Sequence, residues 1–514
     1  MLLGFAALVF YWSEATLAAD STALAKVKAQ PFAGTVESVQ VRGPDGQPIP
    51  VSVRDGRLTP LPQLSPDEQV SVEVVIRRPG WLAWALGHRR TERLTLRTPV
   101  AQVRDRWLTV ERGTQVRLQF DQPVAAVAAG TAGRLRPRRL EGDATSVSLG
   151  RRRAAGSLEV AAAARAWERL GPPATVSWFP PAHVPVMVSS PVPGGTMTPD
   201  STIRLVFSKP VDKVLGSTRP TLSPQTPGRW SQTDSHTLVF TPSGLGLPFA
   251  TNVRISLPHS TAVVAATTHG LRTTSTVAWT VPSGSLLRLQ QLLAQAGYLP
   301  LSWQPSGAPV ANTPSAQLAA AVDPPPGEFT WRYPSTPPEL RALWSAGQPN
   351  AITRGAVMTF EDEHDITVDG LPGMNVWHAL LADTLGGKQR TAGYSYVYVH
   401  STVPQSLTLW HDGQTILTSP GNTGVPAAPT KLGTFAVFEH IPIGTMSGTN
   451  PDGTHYHDPG IRWISYFNGG DAIHAFNRAS FGTPQSLGCV ELPLDAAAKV
   501  WPYTPIGTLV TVEK

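Results

Sequence analysis

The chain holds one cysteine, Cys489, in 514 residues. No intramolecular disulfide can form, so the lone thiol is either a buried small apolar group or a reactive one. Charge is scarce as well: Asp, Glu, Lys and Arg make up 15% of the residues, against about 25% in ordinary globular chains. That argues against a coiled coil, a long helical bundle and a charge-driven disordered chain. The opening apolar run, Met1 to Trp12, falls short of the ~20 residues of a full membrane span, and no Lys or Arg precedes it. It admits two readings, a signal peptide or a membrane anchor with a trimmed start, over residues 1–27. Net charge is +6, and its basic runs (Arg134, Arg136, Arg138, Arg139; Arg151, Arg152, Arg153) lack interleaved stacking aromatics or a readout helix. Nucleic acid is therefore not an expected partner. The runs read as solvated faces, with attraction to an anionic surface or polymer as the alternative.

What is abundant is proline (50) and glycine (45), the punctuation of short strands and turns. At about 150 residues per domain, the length fits three to five domains. Alternating stretches such as TVESVQV (35–41), VSVEVVI (70–76), RLTLRT (93–98) and TQVRLQF (114–120) predict half-buried strands. They suggest a β-sandwich-like module over 28–98 and a second β-rich module over 99–184, in which the alanine-rich piece 157–171 predicts a helix. The fold class expected is mainly β and multidomain.

Residues 185–282 contain IRLVF, HTLVFTP and TNVRISLP as strands and resemble the bacterial Ig-like sandwich domains that serve as spacers. From 283 to 385 the character changes. LLRLQQLLAQAGYLP (286–300) places Leu286, Leu289, Leu292, Leu293 and Ala296 on one helical face and stops at Gly297. A Pro-rich insert follows, and TRGAVMTFEDEHDITVDGLPGMNVWHALLAD (353–383) predicts two more helices around a loop. Together these halves resemble the small three-helix peptidoglycan-binding domain. Ala356, Val357, Phe360, Val376, Trp377 and Leu380 are its expected core, and His364 and His378 are expected to be structural.

Strands return after 391 with YSYVYVH (394–400), QSLTLWH (405–411) and GTFAVFEH (433–440). Cys489 lies in this last segment, after Ser486, Leu487 and Gly488, with His474 fifteen positions upstream. A free thiol with a pKa near 8.5 is mostly protonated at neutral pH, and a nearby imidazole can take its proton and form an ion pair. A small residue before the Cys lets a carbonyl substrate approach the backbone, whose N–H groups can hold a developing oxyanion. The spacing alone leaves open whether the two side chains meet.

IHAFNRASFGTPQSLGCVEL (473–492) resembles the signature of the L,D-transpeptidases, the YkuD-like cysteine enzymes of bacterial cell walls. Their pattern is a His, some 14 to 17 residues, then Ser/Thr-His-Gly-Cys, an aliphatic residue, Arg or Asn, and an aliphatic residue. His474, Ser486, Gly488, Cys489, Val490 and Leu492 match it. TLWHDGQTILTSPGNTG (408–424), PTKLGTFAV (429–437) and PIGTLVTV (505–512) are similar to other segments of the family. Leu487 stands where the family has His, and Glu491 where it has Arg or Asn.

The resemblance implies a catalytic domain over 391–514. Cys489 would be the nucleophile and His474 the general base, with Gly488 giving a backbone oxyanion contact and Ser486 a supporting hydrogen bond. Tyr466, Asn468, Leu487 and Glu491 would contact substrate. The implied activity is peptidoglycan 3→3 cross-linking, or attachment of another amine acceptor, through a Cys thioester. A degenerate wall-binding scaffold and an L,D-carboxypeptidase-type hydrolase are the alternatives. Peptidoglycan stem peptides are the implied partners and carbapenem-type β-lactams the implied covalent inhibitors, with no cofactor, in a bacterial envelope protein that is secreted or membrane-anchored. His455 and His457 form an H-x-H pair that would suit a metal, but no third ligand follows. They are read as part of a loop over the cleft, and no metal is expected.

Overall fold

Val70, Val72, Val74 and Ile76 alternate with polar neighbours and are buried, so the strand Gln69–Arg77 turns one face inward, as period-two patterning dictates. The same rule builds most of the chain. The computed structural model describes residues 14–131, 133–152 and 154–514. It is 45% strand and 15% helix, hence mainly β, and is divided among many sheets.

Met1–Trp12 lies outside the described residues. From Ala15 the chain is already in a sheet: Ala15–Ala19 pairs antiparallel with Ala25–Ala29, and Ala15 and Ala25 are buried. The segment expected to be leader or anchor up to residue 27 therefore contributes two strands. No helix among the described residues is long and apolar enough to cross a membrane.

The first core gathers Leu24, Leu58, Val72 and Ile76, and Trp167 returns from beyond residue 98 to join it, donating from its indole to Thr22 O at 2.9 Å. The helix expected within 157–171 is absent. Gly156–Ala163 is a strand, paired with Gln115–Thr131 on one side and Ala174–Phe179 on the other. Alanine favours helix in isolation, but Ala161, Ala162 and Ala163 are buried between neighbouring elements. Tertiary pairing overrides the local preference.

Residues 186–281 form a six-stranded and a three-stranded sheet around Met187, Leu205, Phe207, Val253 and Trp279. The helices Leu286–Gln295, Ala351–Glu363 and Met374–Gly386 follow, with Gly297 in left-handed φ after the first. His364 bonds Phe360 O and Asp383, whereas His378 is exposed. One continuous apolar cluster runs from Met187 through Leu292, Phe360 and Trp377 to Tyr396 and Leu509. Gly355 is required here, because a Cβ would meet Gly507 O and Leu509. Thr359 Oγ1, on the helix Ala351–Glu363, donates to Ile506 O (3.1 Å), and Tyr333 Oη, in the segment after the strand Gly327–Trp331, donates to Asp412 Oδ1 (2.6 Å), so both brace the last domain.

That domain has two sheets. One runs in the order 414–420, 406–411, 395–400, 509–513, 433–436, and the other in the order 439–449, 455–468, 471–475, 490–492. Between them Val397, Leu409, Val510, Ile473, Val490 and Leu492 make the core, closed by the helix Leu494–Val500. Burying such side chains stabilises the fold by about 1.5–3 kcal/mol each.

Candidate active site

The strands Asp471–Ala475 and Val490–Leu492 pair in parallel, with Ile473 opposite Val490, His474 opposite Glu491 and Ala475 opposite Leu492. Side chains alternate across a strand. Ile473, Ala475, Val490 and Leu492 point into the core between the sheets. Ala472 and Cys489 lie on the other face, against Ile461 and Ile464 of the long hairpin strand His455–Asn468. His474 and Glu491 follow the same alternation, so the thiol, the imidazole and Glu491 share one face.

His474 is buried, and its Nδ1 lies 2.9 Å from Ala475 O. A carbonyl only accepts, so Nδ1 carries the proton and Nε2 is left as the basic nitrogen. Burial lowers the His474 pKa; Ala475 O, Glu491 and Asp458 pull it up, and Arg478 lowers it further. Burial pushes the Cys489 thiol up to about 12, against the Ala472 N–H, with Asp471 and Glu491 adding repulsion. Both shifts favour the neutral thiol and the neutral imidazole over an ion pair. The thiol donates to Gly470 O at 3.6 Å, and no hydrogen bond joins Sγ to His474 among the described residues.

The turn before the nucleophile is held from several sides. Gly488 has φ +116, and a Cβ there would overlap Asp471 Oδ1, so glycine is required twice over. The N–H groups of Gly488 and Cys489 have no partner among the described residues, the state an oxyanion site needs. Ser486 is buried, and its Oγ donates to Cys489 O at 2.6 Å. Leu487 is half-buried and brings no polar group.

Tyr466 faces the thiol: after burial, the Cys489 charge is the largest influence raising its pKa. Asn468 donates to Asp471 Oδ2 (3.1 Å) and also lines a cavity of about 1000 Å³ walled by Leu289, Met358, Trp377, Phe435 and Phe467. Glu491 is not free for a cationic substrate group. It is 4% exposed and forms a bidentate pair with Arg478, Nε to Oε2 at 2.9 Å and Nη2 to Oε1 at 2.7 Å.

Several neighbours escaped the sequence reading. Asn422 is fully buried; its Oδ1 accepts from Gly482 N (3.0 Å) and Gln485 Nε2 (3.1 Å), and its backbone pairs with that of Glu491. Asp471 touches the Gly488 turn, and burial raises its pKa. Tyr456 and Asp458 turn inward from the hairpin, while His455 and His457, which alternate with them, are exposed. The H-x-H pair thus lies on a strand facing away from Cys489 rather than on a loop over the cleft. Among the described residues no three His, Cys, Asp or Glu side chains gather where a metal could sit. Arg478 and Asn422 carry no motif signal of their own; register and chain reversal bring them here.

No curated protein sequence matches the chain. Residues 394–512 match the YkuD family, L,D-transpeptidase catalytic domain. The chain is similar to an L,D-transpeptidase from Mycobacterium smegmatis, at 12% identity over 63% of this chain and 97% of that one, TM-score 0.22. It is also similar to the catalytic domain of the E. faecium L,D-transpeptidase, at 26% identity over 23% of this chain and 96% of that one, TM-score 0.22. The same domain acylated by ertapenem gives 26% identity, 23% and 97% coverage and TM-score 0.22. Residues 394–512 of this mainly β, multidomain chain are an L,D-transpeptidase catalytic domain of the YkuD family.

Proposed function

We propose that the protein joins peptidoglycan stem peptides through a thioester on Cys489, forming 3→3 cross-links or attaching another amine. The observation that carries this reading is the shared sheet face of His474 and Cys489, beside two unoccupied backbone N–H groups. The sulfur attacks the carbonyl carbon of the third stem residue while its proton passes to His474 Nε2. The oxygen turned anionic is held by the N–H groups of Gly488 and Cys489, each such donor contributing about 3–4 kcal/mol in other enzymes. The C–N bond to the terminal D-residue breaks, and the proton on His474 leaves with that amine. An acceptor amine then attacks the thioester, the S–C bond breaks, and the thiol regains its proton.

Both groups rest neutral, so His474 acts as a general base on a thiol rather than as the partner of a standing thiolate. To reach it, Sγ must leave Gly470 O. Carbapenems would acylate the same sulfur, as ertapenem acylates the E. faecium domain. The Ig-like and helical modules would carry this head through a bacterial envelope, with weak wall binding raising local substrate concentration. Digestion of purified muropeptides by wild type and Cys489→Ser tests the reading: cross-linked or exchanged products are expected with the first and none with the second. Release of the terminal residue without any cross-linked product would assign a hydrolase instead.

A further inference from the structure

The Arg478–Glu491 pair stands on the reactive face and is only partly closed. Phe476 N donates to Leu492 O at 3.0 Å, so the parallel ladder continues one step past Ala475. Ala472, His474 and Phe476 then alternate on one face. The Phe476 ring stands edge-on to His474, with centroids 5.9 Å apart, and the Arg478 guanidinium lies 4.5 Å over Phe476. Glu491 is sealed, but the Arg478 side chain is 31% exposed.

A guanidinium has five N–H donors. Nε and Nη2 bind Glu491, and Nη2 also binds Gln485 O at 3.2 Å. Nη1 has no partner among the described residues. The bidentate grip on a buried carboxylate fixes the plane of the group and leaves Nη1 without a protein partner among the described residues, on a guanidinium that lies over Phe476, whose ring stands edge-on to His474. A pre-oriented guanidinium edge is suited to a carboxylate oxygen. The other charges that act on the thiol, Asp471 and Glu491, and on the imidazole, Glu491 and Asp458, are acids.

We propose that Arg478 binds the terminal carboxylate of the donor stem, with Glu491 holding its guanidinium in place. The inference rests on the transpeptidase reading above and names the group that selects its donor. Glu491 lies two residues beyond Cys489, about 7 Å along a strand. The carboxylate of a leaving terminal residue lies one residue past the carbonyl under attack, so one residue of rise and one hydrogen bond span about 6–7 Å. A donor that still carries its last free carboxylate reaches the guanidinium while its preceding carbonyl meets the sulfur.

The test compares two tetrapeptide stems, one ending in D-alanine with a free carboxylate and one in D-alaninamide, by initial rates of release of the terminal residue. Wild type is expected to favour the free acid roughly 10- to 100-fold in kcat/KM, the range of a hydrogen bond to a charged group. Arg478→Met combined with Glu491→Met removes both charges together, which a buried site tolerates better than losing one partner. That variant should bring the two rates within about threefold of each other. If it does not fold, judged by its thermal melt, Arg478→Lys keeps the charge and removes Nη1, and should cut the preference by about tenfold. Equal rates for both donors in wild type, or an undiminished preference in the variants, overturns the proposal. Ertapenem labelling of wild type, read in parallel, separates the readings: a labelled thiol with equal donor rates rejects Arg478 alone, whereas no labelling and no turnover of either donor rejects both.

Discussion

His474 and Glu491 face each other across paired parallel strands, and through Glu491 the imidazole stands beside an ion pair whose carboxylate is buried and whose Arg478 guanidinium is partly open. Burial and Arg478 hold the His474 pKa below its ordinary 6.5, while Glu491 and Asp458 pull against them. The imidazole is therefore already basic at neutral pH. Acylation of Cys489 should rise with pH only until His474 loses its proton, below 6.5, and then stay level through about pH 9. The thiol, pushed up to about 12, adds no inflection in that window. Ertapenem acylation rates across pH check this; thiolate absorbance already present near pH 6 would show a standing ion pair instead, and a second rise near the ordinary thiol pKa would show a thiol that ionises without the imidazole.

Gly488→Ala should fail locally. The left-handed φ costs a non-glycine residue on the order of 1–3 kcal/mol, and the added methyl meets Asp471 Oδ1. Acylation should fall at least tenfold, with a lowered melting temperature. Gly307→Ala, where a methyl meets open space and φ is not left-handed, should melt and react like wild type.

Asn422→Ala should loosen the 478–489 loop without touching the reactive atoms. It strands Gly482 N–H, which donates to Asn422 Oδ1, at about 1–3 kcal/mol for a buried group left unpaired, and it takes one of three acceptors from Gln485 Nε2, which keeps Ser480 O and Thr483 Oγ1. A lower melting temperature and slower acylation are expected, and hydrogen exchange should quicken around Gly482.

Glu168 lies far from this site. Its Oε1 is buried without a partner, and burial raises its pKa from 4.5 to about 7 despite the N–H groups of Arg165 and Ala164. The native state therefore holds a proton between pH 4.5 and 7 that the unfolded chain has lost. Stability then falls as pH rises through that window, by about 1.4 kcal/mol per unit at most, and the whole penalty is present above it. Glu168→Gln should raise the melting temperature at pH 8 and flatten this part of the pH profile. Thermal melts at several pH values check both.

Local pattern made much of the last domain legible. The strands expected at 394–400 and 405–411 appear at Ser395–His400 and Ser406–His411 because their alternation is strict and their turns are short. His474 and Cys489 stood out through one spacing within a single stretch of chain. Asn422, Asp471, Tyr456 and Arg478 did not, because their roles depend on which strand lies beside which, and on what register. The neutral resting state escaped for a related reason, since burial is set by the hairpin that covers the thiol. The alanine-rich piece 157–171 predicts a helix and Gly156–Ala163 is a strand, because propensity speaks only for an isolated segment and here two partner strands decide.

A covalent bond to Cys489 Sγ is what intact-mass spectrometry reads directly. Incubated with ertapenem, the wild-type chain should gain one adduct, mapped by digestion to the peptide holding Cys489, and Cys489→Ala should gain none. An unmodified wild-type chain that is demonstrably folded, or an adduct on another residue, would exclude Cys489 as the nucleophile.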